Sequence, residues 1–348
     1  MRTNKARELL WPTDAQILVR FVFLYVGQGS SIIVLVRDHD SYKSILIDIN
    51  LDSDNGGVNV PQLMSDLLSG EKLNVFVNTH PHNDHLRGLI ELSNKLDIDE
   101  IWHSGHKPGK KHDESYKDLE KVIKKVKDGG GKEIKLEGSR EEKTIVEAAY
   151  YVLAPAEYVC DDIQGEDQDT RYRRIHEQCS VLKFGASGTW VMLPGDADRD
   201  AFEKHITEYH KERLGSVLLA APHHGSRTFF RYNEEDEPYY KALNGINPSH
   251  VIVSAPKQSE SQWDHPHEDA VNFYKDKVGE ENVYHTGAER HCYIFDIFED
   301  GKTSSVNHDK GELVKVYKIS DGDEGGEGGM AFTERKEKTY IRGSRYAL

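Results

Sequence analysis

The chain is poor in cysteine and has no long apolar stretch. Its 348 residues include three cysteines, Cys160, Cys179 and Cys292, an odd number without close spacing. Neither a disulfide framework nor a cysteine-type zinc site is therefore indicated, and a reducing cytoplasm fits this composition. The apolar run 17–26 contains Arg20 and leads into a glycine-rich turn, which is not typical of a signal peptide. No run of about 18 apolar residues occurs, so no membrane span is expected.

Positive charge is also scarce. Lysine and arginine number 45 against 60 acidic residues, which gives a formal net charge of -15. Proteins that bind long nucleic acids usually carry a basic surface, so this balance argues against an extended nucleic-acid interface. It does not exclude a small phosphodiester held by metal ions. The hydrophobic fraction of 37% and the charged fraction of 30% fit a folded core with a charged surface.

Histidine, in contrast, is concentrated in one short segment. His80, His82, Asp84 and His85 form the pattern His-x-His-x-Asp-His directly after the apolar run 73–78, which predicts a buried strand. A loop that leaves a strand can aim its side chains at one point, and imidazole and carboxylate groups suit zinc, manganese or iron. Such close ligands can hold two metals, His80 and His82 binding one, Asp84 and His85 the other. The alternative is a polar loop that is merely rich in histidine.

Two later segments supply further candidate ligands, and each follows a predicted strand. Asp196 ends the strand 189–193 through a Pro-Gly turn, where a carboxylate can bridge two metals. His223 and His224 follow the strand 216–221, so that one can bind metal while the other faces substrate. Each motif is weak alone, because Gly-Asp turns are common and paired histidines can cap a helix. Their order along the chain, each after a strand, strengthens the metal hypothesis.

The predicted elements indicate an α/β (α+β) fold. After a frayed start over 1–14, the residues 16–49 predict a meander of three strands that ends at Asp48. The later strands come in two runs interleaved with helices, one of them over 198–214, which is typical of a four-layer αββα sandwich. We expect an N-terminal extension (1–14), one large domain (15–300) and a C-terminal extension (301–348) with a glycine-rich acidic linker at 321–329.

The order of these motifs resembles the metallo-β-lactamase superfamily. The finer resemblance, over roughly 17–297, is to the soluble hydrolase domain of ComEC-type DNA-uptake proteins and their stand-alone relatives. The matching segments are 24–30, 46–48, 79–85, 193–196, 222–226, 264–267 and 286–287. Tyr25 and Ser30 stand where that group has acidic residues. The membrane channel and the oligonucleotide-binding part of the DNA-uptake proteins are not expected here, so a role in DNA uptake does not carry over.

The resemblance implies a metallo-β-lactamase-like sandwich with a two-metal site. The implied ligands are His80 and His82 for the first metal, Asp84, His85 and His224 for the second, and Asp196 as the bridge. His223 would face the substrate. His265 is a further ligand, a substrate contact or a structural histidine, and His176 is an optional ligand of the first metal. His103 and His106 are expected to be loop residues.

These assignments imply a hydrolase with two divalent ions, Zn or Mn, that activate a water and stabilise charge on a phosphoryl or acyl oxygen. Asp84 would orient the attacking hydroxide, and His223 and His265 would contact the substrate. The leading interpretation is a cytoplasmic phosphodiesterase or nuclease acting on nucleic acid or a nucleotide, cyclic nucleotides included. The alternatives are a hydrolase of small esters, lactones or thioesters, and an interaction module with a vestigial metal site.

The basic end of the chain, 330–348, offers a possible contact with a protein partner or with a second subunit of a homodimer. A disordered end is the alternative for this segment.

Overall fold

Two β-sheets face each other across an apolar core, and helices cover their outer faces. The computed structural model describes residues 4–107, 113–159, 167, 170–171 and 174–319. The predicted linker 321–329 and the basic segment 330–348 lie outside the described residues. No helix within the described ranges combines the length and the apolar character needed to cross a membrane.

Strands and helices alternate through most of the described residues. The strands are β1 (Ile17–Phe23), β2 (Ile32–Asp38), β3 (Ser41–Ile47), β4 (Leu73–Asn78), β5 (Ile98–His103), β6 (Lys132–Lys135), β7 (Lys143–Ile145), β8 (Ala148–Ala154), β9 (Val181–Ala186), β10 (Thr189–Leu193), β11 (Leu218–Ala220), β12 (His250–Val253), β13 (Val283–His285), β14 (Tyr293–Phe298) and β15 (Asn307–His308). The helices are α1 (Lys5–Leu10), α2 (Val60–Leu68), α3 (Leu89–Lys95), α4 (Asp113–Asp128), α5 (Lys241–Ile246), α6 (Glu268–Val278), α7 (Thr286–Glu289) and α8 (Glu312–Val316).

Each sheet combines an antiparallel part with a parallel part. The first sheet has the order β15-β14-β1-β2-β3-β4-β5-β6, and the second has the order β13-β12-β11-β10-β9-β8-β7. β1, β2 and β3 form the predicted antiparallel meander. The strands from β3 to β6 are parallel, as are those from β10 to β13. Parallel neighbours need a crossover connection, which explains why helices alternate with strands in these parts of the chain.

The alternation of side chains along the strands creates the layers. Val19, Phe21 and Phe23 of β1 join the core between the two sheets, whereas Val22 joins the cluster beneath the helices of the first sheet. A separate buried cluster fills the outer face of the second sheet, under α5 and α6. The order of layers is therefore helix, sheet, sheet, helix, which confirms the predicted α/β class and αββα sandwich.

The described residues near the N-terminus do not match the expected frayed start. Residues 5–10 form α1, whose Ala6 and Leu10 are fully buried. Asn4 caps the helix, because its Oδ1 accepts a hydrogen bond from the Arg7 backbone N–H at 3.0 Å. The Ala6 N–H donates to the Tyr317 hydroxyl at 3.1 Å. Contacts with the body of the protein thus order a segment that is too short to show a helical period in the sequence.

One further segment departs from its sequence prediction. The helix expected over 198–214 is broken into a π-helical segment at Ala201–Ile206 and a 3₁₀ turn at Lys211–Arg213. Residues 301–319 pack against the body through α8, whose Leu313 is fully buried and whose first turn is capped by Asp309. The domain boundaries at 14/15 and 300/301 stay predictions.

Candidate metal centre

The predicted metal-binding segments meet at one edge of the sandwich. The loop 79–85 follows β4, Asp48 follows β3, Asp196 lies three residues after β10, and Pro222–Gly225 follows β11. β3 and β4 are parallel neighbours in the first sheet, and β10 and β11 are parallel neighbours in the second. Their carboxyl ends therefore lie at the same edges of the two sheets, and the two edges together form the site.

Two sets of side chains at this edge are arranged so that each could hold a metal ion. The first group consists of His80, His82, His176 and Asp196, and the second group consists of Asp84, His85, Asp196 and His224. Within each group the ligand atoms all lie within 4.8 Å of one another, and Asp196 belongs to both. The sequence-predicted ligands are thus brought together, and His176, which the sequence left optional, lies among them.

The spacing of atoms in the second group suits a tetrahedral metal. His85 Nε2 lies 3.2 Å from His224 Nε2 and 3.2 Å from Asp196 Oδ1. His224 Nε2 lies 3.4 Å from Asp84 Oδ2 and 3.5 Å from Asp196 Oδ1. Ligand atoms about 2.1 Å from a tetrahedral zinc ion are separated from one another by roughly 3.4 Å. The four separations agree with that value.

The first group is more open and contains a single carboxylate. His80 Nε2 lies 3.6 Å from Asp196 Oδ2, and His176 Nε2 lies 3.4 Å from His82 Nδ1. His80 is fully buried, and its Nε2 has no hydrogen-bond partner among the described residues. A buried polar atom without a partner is costly, so this nitrogen is placed where a ligand would satisfy it.

Asp48 supports histidines of both groups. Its Oδ2 accepts hydrogen bonds from His85 Nδ1 at 2.7 Å and from Thr79 Oγ1 at 2.6 Å. Thr79 Oγ1 in turn lies 3.1 Å from His80 Nδ1 and can accept a hydrogen bond from it. Because both Nδ1 atoms are committed as donors, the Nε2 atoms of His80 and His85 carry the lone pairs that face the centre. The sequence marked Asp48 only as the end of a strand, although an acid at that position was the available signal.

A left-handed backbone turns His224 toward the second group. His223, His224 and Gly225 have φ angles of 48°, 56° and 75°, a conformation that residues other than glycine rarely adopt. A Cβ atom at Gly225 would lie 2.8 Å from the Pro266 side chain, so only glycine fits there. The His223 N–H donates to the Gly195 carbonyl at 3.0 Å, and His224 Nδ1 donates to the Ser254 carbonyl at 3.0 Å. These bonds hold the strained turn and leave His224 Nε2 facing His85.

His223 lies at the mouth of the centre and belongs to neither group. Its Nε2 is 3.7 Å from Asp196 Oδ2, its Nδ1 is 3.0 Å from Thr228 Oγ1, and its ring centroid is 4.1 Å from that of His176. Its side chain is 16% exposed, against 3% for His224. Burial, reinforced by His176, holds the pKa of His223 well below its ordinary value. The structure therefore gives the two neighbouring histidines different surroundings.

His265 lies beside the centre, on the side of His223. The two ring centroids are 5.0 Å apart, and His265 Nδ1 is buried without a hydrogen-bond partner within the described ranges. Burial and the nearby His224 lower the pKa of His265 to about 3, so its ring is neutral. His265 is in neither group.

His103 and His106 are engaged elsewhere. His103 ends β5 and its Nε2 lies 3.2 Å from Glu133, while His106 Nε2 donates to the Gln178 carbonyl at 2.5 Å. Neither histidine joins the two groups, and His103 lies at the end of a strand and not in a loop as expected.

The electrostatics of the centre favour a bound cation. Burial acts to raise the pKa values of Asp84 and Asp196, but the surrounding histidines, His85 first, outweigh it and hold both well below their ordinary values. Burial alone would lower the pKa of His85, yet Asp196 and Asp48 raise it well above its usual range. The surrounding carboxylates thus favour a positive charge at His85 Nε2, which either a proton or a metal ion can supply.

The chemistry of the donor set agrees with this demand. In the second group, the Nδ1 atoms of His85 and His224 both donate outward, to Asp48 and to the Ser254 carbonyl. Their Nε2 lone pairs and two carboxylate oxygens therefore point at one place. Such electron-pair donors repel one another unless a cation lies between them, and imidazole with carboxylate is a ligand set used for zinc and manganese. The residues present fit a divalent metal.

Comparison with known proteins agrees with the fold. Residues 27–151, which include the His-x-His-x-Asp-His loop, match the family model of the metallo-beta-lactamase superfamily. The predicted metallo-β-lactamase-like sandwich is thereby confirmed as the fold. No curated protein matches the chain.

Several solved structures are distantly similar. One is Igni18, a metallo hydrolase from the hyperthermophilic archaeon Ignicoccus hospitalis KIN4/I, with 15% identity, coverage of 82% of this chain and 97% of that one, and a TM-score of 0.42. Another is a diphosphatase from the PhnP family, with 14% identity, coverage of 74% and 91%, and a TM-score of 0.36. Both TM-scores lie below 0.5, so the activities of these two proteins are not assigned to this chain.

Proposed function

We propose that this protein is a metal-dependent hydrolase with two divalent ions, Zn or Mn, and that it cleaves phosphodiesters of the nucleotide type. The observation that carries the proposal is the pair of ligand groups joined by Asp196. Ions held there would supply Lewis acidity and an activated water, and paired ions suit in-line attack at phosphorus. The resemblance to the hydrolase domain of ComEC-type proteins agrees with this class and stays a hypothesis.

The protein's own residues would then divide the work. His80, His82 and His176 would hold one ion, Asp84, His85 and His224 the other, and Asp196 both. Asp84, whose side chain is 24% exposed, would orient the attacking water.

His223 and His265 would act on the substrate. The lowered pKa of His223 keeps its ring neutral; with Nδ1 accepting from the Thr228 hydroxyl, its Nε2–H would donate a hydrogen bond to the leaving oxygen. His265 would contact the substrate as a neutral ring.

Charge narrows the substrate class. The net charge of -15 disfavours a long polyanion, whereas a short phosphodiester can be held by the ions themselves. We therefore favour a nucleotide or a short oligonucleotide over duplex DNA. Hydrolysis of a small ester, lactone or thioester is the competing activity of the same centre, and an interaction module with a vestigial site is the competing non-enzymatic function.

Reconstitution followed by a substrate panel tests the proposal. The metal-free protein is loaded with Zn²⁺ or Mn²⁺ and assayed on bis(p-nitrophenyl) phosphate, a cyclic nucleotide, single-stranded and duplex DNA, RNA, a lactone and a thioester. We expect turnover of the phosphodiesters, strongest on small or single-stranded ones, and none without metal. Turnover confined to the lactone or thioester would contradict the phosphodiesterase, and metal binding without any turnover would favour the interaction module.

Contact through the C-terminal segment is a separate prediction. Deletion of 321–348 removes none of the proposed ligands, so hydrolysis of a small phosphodiester should stay nearly unchanged. Self-association, measured by sedimentation, should weaken, and the difference should be largest at low salt, where exposed charges are least screened. Loss of metal in the truncated protein would show that the segment belongs to the folded body. The cytoplasmic location also stays a prediction.

A further inference from the structure

An exposed tryptophan lies two residues from His265. The indole of Trp263 is 53% exposed, whereas the other three tryptophans, Trp11, Trp102 and Trp190, are buried or half-buried. Exposure of so large an apolar side chain is unusual, because burying an indole is strongly favourable. Trp263 and His265 are neighbours on the loop 257–266, which follows β12. The exposed indole and the metal centre are therefore carried by the same edge of the sandwich.

This loop is held in place by hydrogen bonds among its own residues and by a hydrogen bond to Gln28 outside it. The Ser261 hydroxyl oxygen accepts hydrogen bonds from the backbone N–H groups of Trp263 and His265, both at 3.1 Å. The same hydroxyl donates to Gln28 Oε1 at 2.8 Å. Ser261 thus sets the backbone positions of Trp263 and His265 together. The backbone of Trp263 is therefore held at a fixed position relative to the backbone of His265.

Gln28 connects the loop to the second group. It precedes Gly29, where an added Cβ atom would lie 2.5 Å from the Asp84 carbonyl oxygen. The Ser254 hydroxyl donates to the Gly29 carbonyl at 3.1 Å, while the Ser254 carbonyl accepts from His224. The turn at Gln28 and Gly29 is thus packed directly against the segments that carry Asp84 and His224. Through Ser261, the loop with Trp263 is anchored to this turn.

We propose that the Trp263 indole is the stacking platform for the aromatic base of the substrate, a nucleoside phosphodiester whose phosphate lies at the metal centre. This proposal rests on the proposed function and names its specificity-determining residue. A net charge of -15 disfavours affinity that is built on many phosphate contacts. Stacking gives affinity without charge, and it accepts any base because every base has a π-face.

Two esters with the same leaving group test the platform. Thymidine 5′-(p-nitrophenyl phosphate) and methyl p-nitrophenyl phosphate differ only in the group that replaces the nucleoside. For Trp263→Ala we expect KM for the thymidine ester to rise about tenfold with kcat within about twofold, since stacking on one base is worth about that much. Both parameters for the methyl ester should stay unchanged. Trp263→Phe should restore most of the affinity.

A second exposed aromatic residue provides the matched control. Tyr209 is 52% exposed and packs against Arg140, so Tyr209→Ala removes a similar surface without touching the loop 257–266. It should leave both esters unaffected. Equal changes on both esters, or no change on either, in Trp263→Ala would overturn the stacking role. Failure of the wild-type protein to cleave either ester would instead count against the proposed hydrolase.

Ligand binding measured without turnover tests the stacking role of Trp263 separately from the proposed hydrolysis. Calorimetry with adenosine 5′-monophosphate and with ribose 5-phosphate compares ligands that differ by one base. We expect the wild-type protein to bind the nucleotide about tenfold more tightly, and Trp263→Ala to bind both alike. Equal binding of the two ligands by the wild-type protein would contradict the platform whatever the activity. If a protein partner quenches the fluorescence of Trp263 and the nucleotide does not, the indole belongs to a protein interface and the proposal is wrong.

Discussion

The two ligand groups share Asp196 but differ in how firmly their other ligands are held. The second group has two carboxylates, and its histidines donate their Nδ1 protons to buried Asp48 and to the Ser254 carbonyl. The first group has one carboxylate and three histidines. Partners that fix ligand orientation raise metal affinity by about 10- to 100-fold. We infer that the second group would bind its ion more tightly and that the first group would lose its ion first.

The first group depends on a turn that lies outside the sheets. His176 belongs to the turn 174–178, which is held by His106 at Gln178 and by His205 at Glu177. Glu177 accepts a hydrogen bond from His205 Nε2 at 2.8 Å and pairs with Arg174 Nε at 2.7 Å. A ligand on such a turn is positioned by side chains and not by a β ladder. The following substitutions test this difference between the two groups.

The largest effect is expected for Asp196→Ala, which removes the ligand common to both groups. The protein should fall from about two bound metals per chain to well below one, and activity should fall by more than about a hundredfold. Elemental analysis after dialysis against dilute metal measures the first quantity. Retention of both metals would show that Asp196 does not bridge.

The next largest effects distinguish the role of His224 from that of His223. His224→Ala should remove the metal of the second group and activity together, whereas His223→Ala should keep two metals and lower kcat by about 10²- to 10³-fold, as expected for a lost hydrogen-bond donor to developing negative charge. Metal content and kcat are measured on the same samples. If His223→Ala loses metal and His224→Ala keeps it, the two roles are reversed.

A smaller effect is expected for His176→Ala. This variant should lose about one metal, that of the first group, and retain the other, a difference that titration with a chromophoric chelator can resolve. His103→Ala is the control, because His103 is also a buried histidine but bonds Glu133. Two tightly bound metals in His176→Ala would remove this residue from the ligand set.

The smallest effect concerns Glu177. Burial alone would raise its pKa, but hydrogen bonds from His205 and Arg174 outweigh burial and lower it to about 2. A lowered pKa in the folded state contributes stability above the unfolded value, and that contribution disappears as the pH falls toward 2. Glu177→Gln should therefore lower the free energy of unfolding by about 2 kcal/mol at pH 7 and by less than half as much at pH 3.

Urea unfolding at the two pH values measures the Glu177 effect. Glu203→Gln is the matched control, since it breaks an exposed pair with Arg199 and should change stability by about 0.5 kcal/mol or less. A Glu177→Gln effect that does not depend on pH would mean that the carboxylate charge is not what holds the turn.

The contrast between the groups also explains what the sequence could predict. Asp84, His85, Asp196 and His224 each lie just after a strand, so recognising the strands was enough to bring them to one edge. His176 lies in a turn with no strand-end signal, and its position depends on tertiary contacts that His106 and His205 make with the neighbouring residues. Sequence patterns could include it only as an optional ligand.

Backbone geometry was beyond the reach of the sequence. The successive positive φ angles at His223 and His224 have no signature apart from the glycine that follows, because their cost is met by hydrogen bonds to Gly195 and Ser254. The six residues of α1 likewise gain their order from burial against the body and not from helical periodicity.

For two ions bound as proposed, the bonding of Asp48 predicts that they would load cooperatively. Its Oδ2 orients His85 directly and His80 through the Thr79 hydroxyl, so one carboxylate oxygen sets a ligand of each ion. An ion that immobilises His85 also immobilises Asp48 and Thr79, and the second ion then loses less conformational entropy when it binds His80. By linkage each ion strengthens the other's binding by the same factor. At limiting metal, fewer chains should therefore carry a single ion than two independent sites of unequal affinity would produce.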